Sequence, residues 1–594
     1  MPRSPVPAGR PPVAGIAIAA CAAVVLPTLL AFNLPPSATF FNQAAALFGW
    51  GCCLMLLTAA LPLRTGPGSS GLLALLGAMA LLGLAALGSP LWTGLPWSLS
   101  LSSAALIGAA ALAALVAAAA QRAGLGVAVF SGFCVALAVA GVANGVIGAL
   151  QVFAPQWADG DWIAHGATAG RAVGNLRQPN HLSSLLLWSL IGVVWLGEAR
   201  LLRRTVVMPL AALLLFVVVL SASRTGAVGA VLLAVWGLLD RRLSRAARAL
   251  LLLAPVAYAL FWLAAAAWAQ AAQQVFIGAD RFSGAGDISN ARFGIWSNAL
   301  ALIAMHPWAG VGFGEFNFAW TLTPFPGRPV AFFDHTHNLP LQLAVELGLP
   351  LACLVLALLA FALWRAVRTA WDPGQGQAHE PASPLRAALV MVLMVLLHSL
   401  LEYPLWYAYF LLPAAFSFGL CLEAPRGAAN AASMSVAAAP PATRPLLIAS
   451  MLLVFGCVAS VYDYFRVVVI FSPPEGAPAL AQRIAAGQRS WFFSHHADYA
   501  AATTAEQPSK AMAAFAGASH YLLDARLMMA WAKALNESGD TQRARHVAQR
   551  LKEFQHEDAE AYFAPCGATP ASAADAVPYQ CLAPGSTLTY RDFR

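Results

Sequence analysis

Charge is what this sequence has least of. Asp, Glu, Lys and Arg together supply 10% of its 594 residues, against about a quarter in an ordinary soluble domain. Lysine does not occur before Lys510. A chain that is 60% hydrophobic with so little charge cannot bury its apolar surface in one water-solvated core, so many segments must be solvated by lipid. The formal charge of +8 comes mostly from arginines scattered through short stretches between apolar runs, which gives no support to nucleic acid as a partner. No internal repeat is visible, and no cysteine spacing resembles a metal site. Cys21, Cys52, Cys53, Cys134, Cys353, Cys421 and Cys457 lie within apolar runs and read as packing residues.

What is present is a series of apolar runs long enough to span a bilayer. They fall at 13–32, 40–62, 71–88, 100–120, 125–151, 181–198, 206–222, 225–239, 249–268, 338–364, 385–401, 404–422 and 445–470. The expected fold is therefore an all-α polytopic membrane protein with about thirteen transmembrane helices. The run at 225–239 is short for a span. The basic segment MPRSPVPAGRPP followed by an apolar run has the order of a signal peptide. The run is long enough to span and no small-x-small cleavage site follows it, so an uncleaved first helix is expected.

Arginine gives the orientation. With the N-terminus in the cytoplasm, the cytoplasmic connections carry Arg64, Arg122, Arg200, Arg203, Arg204, Arg241, Arg242, Arg245, Arg248, Arg365, Arg368, Arg386, Arg426 and Arg444. The opposite face carries Arg171, Arg177, Arg224, Arg281, Arg292 and Arg328. This divides the chain into a transmembrane domain, 1–470, with two long external loops at 152–180 and 269–337, and an external helical tail, 471–594. Loops that long are more often functional than idle. In the tail, 524–554 reads as two amphipathic helices around Glu537-Ser538-Gly539-Asp540, similar to one tetratricopeptide hairpin. Cys566 and Cys581 stand in the same polar tail, where a disulfide is plausible if it is exported.

The unusual polar residues gather at the external ends of spans. The first group, Gly170 to His181, holds Arg171, Arg177, Asn175, Gln178, Asn180 and His181 just before a span. A helix N-terminus with arginines suits an anion, while the plainer alternative has Asn180 capping the helix and the arginines touching headgroups. The second is Ser221-Ala222-Ser223-Arg224-Thr225-Gly226, a tight turn whose arginine fits a pyrophosphate or a lipid headgroup. In the third, Asn290 to Trp296 reads as a surface helix carrying Arg292. The glycines of Gly310-Val311-Gly312-Phe313-Gly314 then allow a turn that brings N–H groups close to a ligand.

The fourth group is Asp334-His335-Thr336-His337-Asn338, leading into a span with Gln342 and Glu346. Histidine suits proton abstraction near neutral pH, and Asp334 or Glu346 would orient it; a zinc site is the competing idea. The fifth, His398 to Tyr409, looks largely like an aromatic belt, but Glu402 is an acid at a depth that requires a partner.

Taken in order, GRAVGNLRQPNHL, SRTG, the stretch from Arg292 to Phe316, DHTHN and HSLLEYPLWYAYFLL resemble the bacterial O-antigen ligase and polymerase superfamily. They resemble most closely its protein O-glycosylation branch, the pilin glycosylation ligases. The resemblance covers most of 125–425. It implies a metal-independent, multi-span (GT-C-like) glycosyltransferase of the bacterial inner membrane with its active site facing the periplasm and no cofactor. The donor would be an oligosaccharide on undecaprenyl pyrophosphate, and the acceptor a Ser or Thr of pilin or another exported protein. It makes His337 the catalytic candidate, matches Gln178 and Tyr407 (with Tyr403 close by) to positions tied to activity, and assigns Arg224 and Arg292 to the pyrophosphate. Arg171, Arg177, Asn180, His181, His335, Asn338 and Glu402 complete the expected substrate site. Transfer to lipid A core, polymerisation of a glycan, and transport of the lipid-linked glycan are the alternatives. Transport fits least, because the polar residues cluster at one face.

Overall fold

Inside lipid a backbone has no water to bond, so each long apolar run satisfies its own N–H and C=O groups as a helix. The computed structural model describes residues 13–61, 63, 68–166, 168–278, 288–372, 383–424, 443–567 and 577–594. The basic segment before Val13 and the expected loop arginines Arg64, Arg281 and Arg426 lie outside them. Among the described residues every regular element is helical. Eight helices are long and apolar enough to cross a membrane, and five shorter apolar helices accompany them. The chain is a multi-pass membrane protein.

The helices are α1 (Val13–Leu29), α2 (Phe40–Ala60), α3 (Ser70–Gly88), α4 (Trp97–Arg122), α5 (Gly126–Phe153), α6 (Pro179–Glu198), α7 (Arg204–Leu220), α8 (Arg224–Leu239) and α9 (Ala254–Ala271). There follow α10 (Ile288–Met305), the short α11 (Phe316–Leu322), α12 (Leu339–Ala370), α13 (Pro384–Ser399), α14 (Ala408–Cys421) and α15 (Arg444–Phe471). Helix α1 packs on α2 and α5, α4 on α14, and α12 on α3. Helix α6 is the central post, buried without a break from His181 to Leu196. Away from the long loops, two buried ion pairs tie helix ends together. Arg122 meets Glu423 at 2.8 Å, and Arg386 meets Asp240 with its guanidinium 5.0 Å over Trp371. Removing one partner of such a pair strands a buried charge.

Three elements depart from the apolar runs. The run at 249–268 is a short helix, Arg245–Leu252, followed by α9. The run at 404–422 opens with a 3-10 turn at Pro404–Trp406, so Tyr403 to Tyr407 lie outside the helix. Helix α12 is broken at Gly348 (φ 74°, ψ 162°), two residues before Pro350.

In the tail are α16 (Leu480–Gly487), α17 (Ser494–Thr504), α18 (Met512–Ala518), α19 (Ala525–Glu537) and α20 (Thr541–Glu553). Helices α19 and α20 are the amphipathic pair read from the sequence. Asp524 caps α19 at Leu527 N–H (2.8 Å), and Asp540 caps α20 at Arg543 N–H (3.1 Å). Trp531, Ala534, Ala544 and Leu551 share one apolar cluster that continues into α10, α11, Phe325 and Phe333. The tail thus packs directly on the 288–337 region. Cys566 and Cys581 are disulfide-bonded.

Candidate active site

Three helix starts and a turn build the site. Pro179 sits in the first position of α6, where its missing N–H costs nothing. The cap is therefore Gln178, whose Oε1 accepts the His181 N–H at 2.9 Å. This frees Asn180 from the capping role that the sequence offered it. Its Nδ2 donates to Glu402 Oε1 (3.1 Å), and its Oδ1 accepts the Ser223 hydroxyl (2.6 Å). Ser223 in turn caps α8, accepting the Gly226 N–H at 3.0 Å. Arg224, the first residue of α8, is exposed beside it. Arg171 Nε donates to Ser221 O at 2.9 Å, on the same turn.

The start of α12 holds His337. Asn338 caps the helix at Leu341 N–H (3.1 Å) and donates to Leu400 O (3.2 Å), joining α12 to the 400–407 turn. His337 itself has φ 56°, a left-handed conformation that costs an L-residue about 1–2 kcal/mol and that recurs where a site is over-determined. Its neighbour Thr336 supplies the constraint. The Thr336 N–H donates to Gln342 Oε1 (2.8 Å), and its carbonyl accepts Trp296 Nε1–H (2.9 Å).

His337 Nδ1 lies 3.0 Å from His335 O. A carbonyl only accepts, so Nδ1 carries a proton, and when the ring is neutral its lone pair is on Nε2. Nε2 is 3.4 Å from Glu402 Oε2, while Glu402 Oε1 is ion-paired with Arg292 of α10. Burial lowers the His337 pKa below its ordinary value, opposed by the Glu402 carboxylate. Burial thus favours the neutral imidazole, and the carboxylate is placed to stabilise it once protonated.

The aromatic residues form one wall. His335 stacks on Tyr403 (4.3 Å between centroids), and His337 meets the same ring edge-on at 5.0 Å. The Tyr407 ring lies edge-on to His181 at 4.6 Å. His181 is buried behind it, with Nδ1 3.2 Å from Tyr409 OH.

The structure therefore gathers His337, Glu402, Arg292, Asn180, Asn338, His335 and Tyr403, with Tyr407 and His181 behind them. Arg177 is elsewhere: its Nη1 donates to Ala38 O (3.0 Å) and Asn42 Oδ1 (3.3 Å), bracing the connection between α1 and α2. Neither acid offered as the orienting group touches His337. Asp334 Oδ1 lies 3.0 Å from His335 Nδ1. Glu346 acts at two removes, through Gln342 (2.9 Å) and Thr336.

The glycine run differs in the same way. The N–H groups of Val311 and Gly312 bond to the carbonyls of Val345 (2.9 Å) and Glu346 (3.0 Å), which the break in α12 leaves open. Leu349 N–H closes the exchange on Pro307 O at 2.7 Å. A Cβ on Gly310 would stand 2.5 Å from Glu346 O, and one on Gly348 2.4 Å from Trp308 O. These N–H groups serve the protein's own helix, not a ligand.

Three family models match successive parts of the chain: a protein glycosylation ligase at 172–196, an O-antigen ligase at 209–356, and the C-terminal part of a virulence factor membrane-bound polymerase at 386–564. The general O-oligosaccharyltransferase of Acinetobacter baylyi is 30% identical over 261 residues, 42% of this chain and 43% of that protein. The ComP-specific O-oligosaccharyltransferase of the same organism is 26% identical over 257 residues, 42% of this chain and 44% of that one. The matched stretch thus spans less than half the length of these curated relatives. His337 and Arg292 fall within the O-antigen ligase match and Glu402 within the polymerase match, and the chain is similar to proteins of the O-antigen ligase superfamily, including protein-glycosylating ones.

Proposed function

We propose that this protein moves an oligosaccharide en bloc from undecaprenyl pyrophosphate to a Ser or Thr hydroxyl of pilin or another exported protein. In this reading all thirteen apolar runs cross the bacterial inner membrane in a GT-C-like arrangement, and the active site and tail face the periplasm. The arginine asymmetry supports that orientation, and so does the Cys566–Cys581 bond, which suits an oxidising compartment.

One observation carries the chemistry: His337, held at a left-handed φ, has its Nε2 3.4 Å from a carboxylate already paired with Arg292. The acceptor hydroxyl gives its proton to His337 Nε2 as its oxygen bonds to the anomeric carbon. The anomeric C–O bond to the pyrophosphate breaks in the same step, with inversion. Glu402 stabilises the imidazolium that forms. Arg224, with Arg171 on the same turn, and Arg292 hold the departing pyrophosphate in place of a divalent cation. Tyr403, Tyr407 and His335 wall the acceptor side; Asn180 and Asn338 keep the two helix starts in register with Glu402.

The test is transfer by the purified protein from a defined lipid-pyrophosphate oligosaccharide to pilin, with EDTA present and a His337→Ala control. Glycan on pilin by intact mass, absent in the control, is the expected result. The second reading keeps the chemistry and changes the acceptor to lipid A core or a growing glycan. The matches to an O-antigen ligase and a membrane-bound polymerase favour it. Lipid A core modified while pilin stays bare would replace the first reading with this one.

A further inference from the structure

The segment that carries His337 has a second anchor outside the membrane helices. Residues 323–337 run from α11 to α12 as a strap, and the tail grips it. Arg328, its side chain 1% exposed, donates from Nε to Glu553 Oε2 at 3.0 Å, and the other Glu553 oxygen takes Arg550 at 2.7 Å. The Arg328 guanidinium lies 4.7 Å over Trp320. Phe332 stacks on Phe554 with 4.0 Å between centroids. Asn317 bridges the two parts: its Nδ2 donates to Phe333 O (2.8 Å), and its Oδ1 accepts the N–H of the tail's Leu523 (3.0 Å). From Phe554, ring contacts lead through Trp320 (5.6 Å) and Phe333 (6.1 Å) to His337 (5.4 Å).

A tail that merely adhered to the membrane domain would need only apolar contact. A buried guanidinium is expensive to desolvate, and here it fixes a strap a few residues before a histidine in a left-handed conformation. We propose that the tail is a positioning element of the active site, in which its Phe554 and Glu553, and its Leu523 through Asn317 of α11, hold the strap so that His337 Nε2 stays at Glu402. The proposal rests on His337 acting as the base. The charged and titratable groups around His337 (Glu402, Arg292, Asp334, His335 and Tyr403) all belong to the membrane domain and its loops. Loosening the strap from the tail side therefore changes the placement and burial of His337 without replacing any of them.

The experiment uses the full chain and its Phe554→Ala variant in nanodiscs, with Phe332→Leu as a second, milder variant should the first not fold. Hydrogen exchange over 325–337 is expected to speed up in the variant while α12 stays protected. Turnover is expected to fall by up to about 100-fold, as for a sub-ångström to 1 Å misplacement of a reacting group, with KM for the lipid-linked donor unchanged. The acidic limb of the pH–rate profile should move up toward an ordinary histidine, because burial is what lowers it. A loss of folded protein alone would leave the limb in place and speed exchange over α12 as well as over the strap. Unchanged exchange over 325–337 overturns the positioning role whether or not any acceptor is glycosylated. A wild-type protein that glycosylates neither pilin nor lipid A core overturns instead the assigned reaction.

Discussion

Glu402 Oε2 lies 3.4 Å from His337 Nε2, and its other oxygen pairs with Arg292. The carboxylate thus links the group that would take a proton to a cation suited to the leaving anion. Replacing Glu402 with Gln removes the charge that raises the His337 pKa. In the proposed reaction His337 acts as a neutral base, so activity is expected to fall as pH drops through its pKa. The Glu402→Gln profile should therefore have its acidic limb at lower pH than wild type, with reduced turnover at every pH. A limb that stays in place would detach Glu402 from the base.

Removing the base itself should be more costly. His337→Ala is expected to lower transfer by about 100- to 10,000-fold while the protein still inserts and melts as wild type, read by intact mass and thermal unfolding in detergent.

Gln178 offers a way to separate capping from chemistry. Its side chain accepts the His181 N–H at 2.9 Å, so Gln178→Ala should cost about 1 kcal/mol of stability as other lost caps do. Gln178→Glu keeps the acceptor. If glutamate restores both melting temperature and turnover, the cap is the role; if it restores only melting, Gln178 also acts on substrate.

Gly310→Ala and Gly348→Ala should each destabilise strongly. Both positions have left-handed φ (65° and 74°) and a backbone atom within 2.5 Å of the new Cβ. The conformational part alone is about 1–2 kcal/mol. Gly456→Ala, with nothing within 4 Å, is the control that should melt unchanged.

The Cys566–Cys581 bond closes a segment of 15 residues' separation, worth about 3 kcal/mol by loop entropy. Under reduction, or in the double Cys→Ser variant, the end of the tail should become sensitive to protease at a lower temperature. Equal sensitivity would show the bond to be dispensable.

The helices were legible because lipid leaves a long apolar run little choice. The group at 334–338 was legible because two histidines and an acid before a span have few bland explanations. That Glu402 needed a partner was also readable. Which partner was not, because Asn180 and Arg292 lie 222 and 110 residues away in the chain. The cap is Gln178 and not Asn180 because Pro179 takes the first helical position, which puts the cap two residues upstream, a shift that composition does not encode. The break in α12 did have a local signal in Gly348 and Pro350, hidden inside an otherwise continuous apolar run. Asn317 gave none: one amide between aromatic residues says nothing of the two backbones it joins.

The break also bears on biogenesis. A helix interrupted at Gly348 has bare carbonyls at Val345 and Glu346 and a bare N–H at Leu349 until residues 307–312 arrive. In hydrocarbon each such group costs several kcal/mol, so α12 is a poor substrate for insertion by itself. The ribosome makes 307–312 first, and the completing segment is already outside the exit tunnel's reach when the broken helix emerges. If α12 crosses as proposed, its insertion is expected to be a two-part event, in which the preceding loop folds back to complete the broken helix.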